Sequence, residues 1–262
     1  MSAHRIARRQ ALALSVGCAF WVAGPARRAF CQSSIRIDRF SVELDRVLSA
    51  SEPIHELASG FGNDSGNAEG PLWWKEGRYL LFSDIGKDRR MKYEPARGAS
   101  VVKEAVNRAN GLTRDVQGRL VAAEQETRQL ARYEATGART IIANSYEGKR
   151  LNRPNDVIVK SDGAIYFTDP FNRSPQPPEQ WEQPVAGVYR VSPDLATVTR
   201  VAGDFMFPNG LAFSPDEDVL YINDTSRGHI RAFDVMPNGS LATQSARVFA
   251  TRVGTSLAGR TE

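Results

Sequence analysis

The sequence predicts an all-β fold of the propeller type, on three observations. Four segments share one grammar: an acid or amide head, an apolar strand, a polar turn, a second strand and a closing acid. The heads Glu69, Asn110, Asn155 and Asn209 are spaced by 41, 45 and 54 residues, and the closing acids Asp84, Glu124, Asp169 and Asp224 follow them by 14 or 15. The fourth segment shows a full set of strands, at 211–213, 219–222, 230–235 and 247–250, separated by turn-forming residues. Repeats of ~40–50 residues with several short strands are the signature of propeller blades, which bury their faces only against neighbouring blades.

From the N-terminus, residues 1–31 hold Arg5, Arg8, Arg9, Arg27 and Arg28 and no acid. The apolar run at 11–23 is shorter than the ~20 residues a bilayer span requires. A basic start, a short apolar run and the small residues around Ala29-Phe30-Cys31 read as an export signal. The paired Arg8-Arg9 ahead of Leu12 and Leu14 resemble a twin-arginine signal. The expected organisation is therefore an export segment at 1–31 and a single propeller domain at 32–262. The mature chain would be periplasmic or secreted and free of the membrane once the signal is removed. Cys18 and Cys31 are the only cysteines, so that mature chain has neither disulfide nor thiolate chemistry.

The first repeat runs from Glu69-Gly70-Pro71 through a turn at Gly77-Arg78 to Asp84, and the second from Asn110-Gly111 through 115–118 to Glu124. In the third, Asn155-Asp156 leads through Ser161-Asp162-Gly163 to Asp169, and in the fourth Asn209-Gly210 leads through Ser214-Pro215-Asp216 to Asp224. Residues 170–184, rich in Pro, Gln and Asn and carrying Trp181, read as a long loop inside the third unit. A strand around 35–42 is a candidate for closing the ring.

The formal net charge of +4 sits in the first segment: +4 less its five arginines leaves −1 for the rest. No basic patch remains in the linear sequence to hold a phosphate backbone, so a nucleic-acid partner is not expected.

Polar residues at the start of the innermost strands converge on a propeller's axis. Glu69, Asn110, Asn155 and Asn209 thus form one ring of oxygen donors, chemistry that suits a hard cation, Ca²⁺ before Mg²⁺ or Zn²⁺. The plain alternative is that Asn-Gly merely starts a strand with a tight turn. Other catalytic patterns are missing: Gly254 to Gly259 is one residue too long for a nucleophile elbow, and Ser59 stands where a zinc helix begun by His55-Glu56 needs its second histidine.

Together, Glu69-Gly70-Pro71, Asn110-Gly111-Leu112-Thr113, the 151–156 stretch Leu-Asn-Arg-Pro-Asn-Asp, the 166–170 stretch Tyr-Phe-Thr-Asp-Pro and the 208–216 stretch beginning Pro-Asn-Gly-Leu resemble the gluconolactonase, regucalcin and lactonase family. The resemblance runs from about Glu69 to Ala250 and is nearest to bacterial gluconolactonases. It implies a six-bladed propeller, one divalent metal and hydrolysis of sugar lactones. Glu69, Asn155 and Asn209 would be metal ligands, and Arg153, Asn155 and Asn110 would touch substrate, Asn110 on the strength of the repeat alone. The family's general-base aspartate opens a further repeat, expected near 254 and not found before 262. No catalytic base is thus assigned, and the resemblance implies an incomplete propeller of about four blades plus closing strands, with impaired activity. A sugar-binding propeller without catalysis, and a propeller enzyme of the strictosidine-synthase or paraoxonase kind, are the competing expectations.

Overall fold

The computed structural model describes residues 37, 39, 41–49, 51–64, 66–171, 181–251 and 253. The expected export segment, both cysteines and the stretch 254–262 lie outside the described residues. The chain divides into two units, Met1–Glu56 and Leu57–Glu262. In the first, Ser41 caps a 3-10 turn over Val42–Arg46 by accepting the Glu43 N–H at its hydroxyl. Ile37, Arg39 and Ser41 belong to no strand.

The second unit is a series of four antiparallel four-stranded blades, each with its strands in chain order. Blade 1 comprises β1 (Ala68–Trp74), β2 (Tyr79–Asp84), β3 (Arg89–Glu94) and β4 (Gly98–Glu104). Blade 2 comprises β5 (Ala109–Arg114), β6 (Leu120–Glu124), β7 (Gln129–Tyr133) and β8 (Arg139–Ala143). A short ribbon, β9 (Ser145–Tyr146) with β10 (Lys149–Arg150), leads into blade 3. That blade comprises β11 (Val157–Val159), β12 (Ile165–Asp169), β13 (Ala186–Val191) and β14 (Val198–Phe205). Blade 4 comprises β15 (Pro208–Phe213), β16 (Val219–Asp224), β17 (His229–Asp234) and β18 (Arg247–Thr251). The first strands β1, β5, β11 and β15 lie beside one another, which makes them the inner strands.

Period-2 alternation places the core between blades. On β12, Ile165 and Phe167 join Val121, Ala123 and Leu130 of blade 2 in one apolar cluster. The intervening Tyr166, with Ala164, joins Leu211, Leu220, Ile222 and Phe233 of blade 4 in another. On β6, Leu120 and Ala122 turn the other way, to Leu81 of blade 1. Each interface thus has its own core, and the central strands are buried on both faces.

Each inner hairpin closes on one left-handed residue: Arg78 (φ 52°), Gly118 (80°), Gly163 (92°) and Glu217 (61°). Glycine adopts this conformation freely, whereas a side chain there costs about 1–2 kcal/mol. Glu217 offsets the strain across the blade interface, its carboxylate accepting from Ser161 N–H at 2.8 Å and Lys160 Nζ at 2.9 Å.

Candidate functional site

The four heads are set by one local device. Ladder pairing slips at Glu69–Leu72 in β1, Ala109–Leu112 in β5 and Pro208–Leu211 in β15, so each of these strands bulges at its head. A bulge re-aims the side chain and frees backbone groups for other partners. Those groups bond to the next blade: Gly111 N–H donates to the Asn155 carbonyl at 2.8 Å. The hydroxyls of Ser83 and Thr168, at matching places on β2 and β12, donate to the Asn110 and Asn209 carbonyls at 2.7 and 2.8 Å. Successive heads are therefore tied in pairs.

The closing acids hold the segment that leads into each head. All four are fully buried. Asp169 accepts the N–H groups of Asn152 and Arg153 at 2.7 and 2.6 Å, and Asp224 those of Met206 and Phe207 at 3.0 and 3.1 Å. Asp84 accepts Gly62 N–H at 2.8 Å, and Glu124 takes the Asn107 side-chain amide at 2.9 Å. The regular distance from head to acid is the length of this hairpin clamp, and its role is positional.

At the heads, the third blade departs from the others. Blades 1, 2 and 4 follow the head with Gly70, Gly111 and Gly210, while blade 3 has Asp156. A Cβ on Gly111 would stand 2.6 Å from the Asp156 Cα and strike its Oδ1, and one on Gly210 would lie 3.8 Å from its Oδ2. Gly111 thus clears the space that the aspartate fills, while Gly210 faces it at ordinary contact distance. Asp156 Oδ1 accepts Val157 N–H at 2.9 Å and Oδ2 meets Leu211 N–H of blade 4 at 3.4 Å, while its own N–H donates to Thr168 Oγ1 at 3.0 Å.

Burial pushes the Asp156 carboxyl up to about 6, against the lowering effect of those two N–H donors. Glu69 is also raised, by burial first and then by the nearby Asp156 charge. Among the described residues no cationic side chain contributes to either shift. Two desolvated carboxylates without a counter-ion, among carboxamide heads, form a donor set that fits a hard divalent cation. Among the described residues no three His, Cys, Asp or Glu side chains cluster, so such an ion would rest on mixed carboxylate and amide oxygens. With no thiolate and no imidazole in the set, Ca²⁺ or Mg²⁺ fits better than Zn²⁺.

Of the residues singled out from sequence, Asn110 and Asn155 are buried and Glu69 and Asn209 half-buried at successive blade heads. Arg153 lies two residues before the Asn155 head, and burial first and then the Arg108 charge lower its guanidinium. Asp156 was missed, although the signal was present: it is the one place where the glycine after the head is replaced.

Residues 67–257 match the family model described as the SMP-30/Gluconolactonase/LRE-like region. A gluconolactonase of Zymomonas mobilis is 33% identical over 222 residues, covering 78% of this chain and 61% of its own length. Lactonase drp35 of Staphylococcus aureus is 34% identical over 85 residues, 32% of this chain and 24% of its own. Among solved structures, a gluconolactonase of Xanthomonas campestris superposes with a TM-score of 0.63 at 39% identity, covering 70% of this chain and 62% of that one. The chain spans about three-fifths of the length of these longer matches.

Proposed function

The chain belongs to the SMP-30/gluconolactonase/LRE-like family, and from that premise we propose that its blade heads serve the metal-dependent hydrolysis of a sugar lactone. The observation that carries the reading is the Asp156 carboxyl, raised to about 6 beside Glu69 and filling the space left by Gly111.

Glu69, Asn155 and Asn209 would hold the cation, most suitably Ca²⁺. When bound, it supplies Lewis-acid polarisation of the lactone carbonyl, and neutral amide donors leave much of its charge available for that. The protein's own groups do the rest. Asp156 is the candidate general base, because an acceptor of proton from water works best with a pKa near the operating pH. Asp216 does not suit the role, since hydrogen bonding from the Ser214 hydroxyl holds it below the usual range at an exposed turn. Asp224 does not suit it either: burial would raise it, but N–H groups of Met206 and Phe207 and the Arg227 charge keep it low. The bulged heads and their hydroxyl ties keep the amide oxygens in place. Arg153 would contact the sugar. Export through Arg8-Arg9 stays part of the proposal, carried by the acid-free N-terminal segment.

The test is hydrolysis of glucono-δ-lactone, followed by proton release, with Ca²⁺ and after chelation. Asp156→Asn should lower kcat by ~10²–10⁴-fold. Glu69→Gln should abolish the rise in Tm that Ca²⁺ gives the parent chain, a rise worth ~2.7 kcal/mol at one hundred times Kd. Turnover unaffected by Asp156→Asn, or a Ca²⁺-independent Tm in the parent chain, would refute the reading.

A further inference from the structure

Away from the heads, the interface between blades 1 and 2 collects cations on its outer strands. Arg90 on β3 and Lys103 on β4 are direct cross-strand partners, two like charges side by side. Such a pair destabilises a sheet when nothing offsets the repulsion. Both reach one ring of blade 2: the Arg90 guanidinium carbon lies 4.4 Å and Lys103 Nζ 5.2 Å from the centroid of Tyr133 on β7.

The carboxylate beside that ring is already committed. Glu124 accepts the Tyr133 hydroxyl at 2.7 Å, the Thr127 hydroxyl at 2.8 Å, the Asn107 amide at 2.9 Å and the guanidinium of Arg139 on β8. A carboxylate has about four acceptor positions, and these partners fill them. Among the described residues neither Arg90 nor Lys103 has an ion-pair partner. Arg90, Lys103 and Arg139 against Glu124 leave two positive charges in excess.

Arg90 is the informative side chain. It is 4% exposed, and among the described residues its Nε and Nη2 are buried without a hydrogen-bond partner. The Tyr133 ring balances part of the charge but offers in-plane N–H groups no oxygen. Buried donors left unmet are costly, charged ones most of all, so native interiors pair them. Nε and Nη2 make up one edge of the guanidinium, the parallel fork that meets two oxygens of a planar or tetrahedral oxoanion.

We infer that Arg90 and Lys103 bind a phosphate-class dianion between the outer strands of blades 1 and 2. The Nε/Nη2 edge of Arg90 takes two of its oxygens, and Lys103, exposed on β4, takes a third. The dianion matches the two excess charges and offsets the repulsion between the cross-strand cations, so it strengthens this blade interface. The blade heads lie on the inner strands, and the inference does not depend on the lactonase reading.

The test titrates inorganic phosphate calorimetrically into the full chain, freed of divalent metal by chelation, at mildly alkaline pH where phosphate is a dianion. Acetate at the same ionic strength is the comparison. Phosphate should bind ~10–100-fold more tightly than acetate, as charge-assisted hydrogen bonds from two cations require, and should raise the Tm above its value in chloride. Arg90→Lys keeps the charge, loses the fork and should remove most of this margin. Lys103→Gln, at an exposed position tolerant of substitution, should weaken phosphate binding ~10-fold. The Tm of each variant without phosphate establishes that it is folded. Phosphate binding no tighter than acetate binding in the parent chain, or binding unchanged in folded Lys103→Gln, would overturn the inference.

Discussion

Glu124 and Asp169 close equivalent hairpins, are both fully buried, and titrate in opposite directions. Burial alone would raise Glu124, but donation from the Arg139 guanidinium and the Tyr133 and Thr127 hydroxyls outweighs it, and the carboxyl lies below its usual range. Asp169 has two backbone N–H donors and the Arg128 charge to lower it, but burial outweighs them and pushes it up to about 7. The linkage signs follow. A depressed carboxyl contributes stability that is present above its unfolded pKa, ~4.3 for Glu, and lost as pH falls through the folded value. A raised carboxyl does the reverse: its cost grows as pH rises from ~3.9 towards 7. Glu124→Gln should flatten the acid limb of a Tm–pH curve, and Asp169→Asn the limb between about pH 4 and 7, at a general cost of ~1–3 kcal/mol for the disturbed acceptor. Unchanged curve shapes in both variants would show that these shifts do not operate.

At the scale of elements, the inter-blade ties depend on single hydroxyls in strands that otherwise read as apolar runs. Thr168 on β12 has two duties, donating to the Asn209 carbonyl of blade 4 and accepting the Asp156 N–H. Val would keep its shape while stranding two partly buried backbone groups, so Thr168→Val should cost ~2–4 kcal/mol and displace both Asp156 and Asn209. Ser83 has only the Asn110 carbonyl, and Ser83→Ala should cost ~1–2 kcal/mol. Chemical unfolding of the two variants checks the ordering; a loss at Ser83 equal to that at Thr168 would count against the double role. The strands themselves were largely legible in sequence. The fourth unit's strands at 211–213, 219–222, 230–235 and 247–250 correspond to β15, β16, β17 and β18 within three residues at each end. Period-2 apolar runs bounded by turn residues specify strands locally. The bulges were not legible, because slippage in a ladder depends on the partner strand.

For the whole molecule, each apolar cluster is shared by two blades, so no blade is stable by itself. Phe167, fully buried, stacks on Tyr189 at 5.4 Å within the cluster joining blades 2 and 3. Phe167→Ala should cost ~3–5 kcal/mol, and because the loss is felt in both blades, unfolding should remain a single transition at lower denaturant. Trp73, as large but 54% exposed on β1, should tolerate Ala with a change of under ~1 kcal/mol. Two separated transitions in the Phe167→Ala chain would argue that the blades fold independently.

The sequence by itself determined the blades and the heads, since both follow from local rules: alternation, turn residues and a constant hairpin length that fixes the distance from Glu69 to Asp84 or from Asn209 to Asp224. It also carried the family's motifs. Only the tertiary structure decided that Asp156, absent from the ring of heads read in sequence, occupies the room left by Gly111 and is raised to about 6. Desolvation and charge proximity are properties of what other segments pack around a group, here residues some 45 to 55 positions away in neighbouring blades. No local pattern encodes them, which is why the donors were legible in the sequence and the residue that makes the site chemically poised was not.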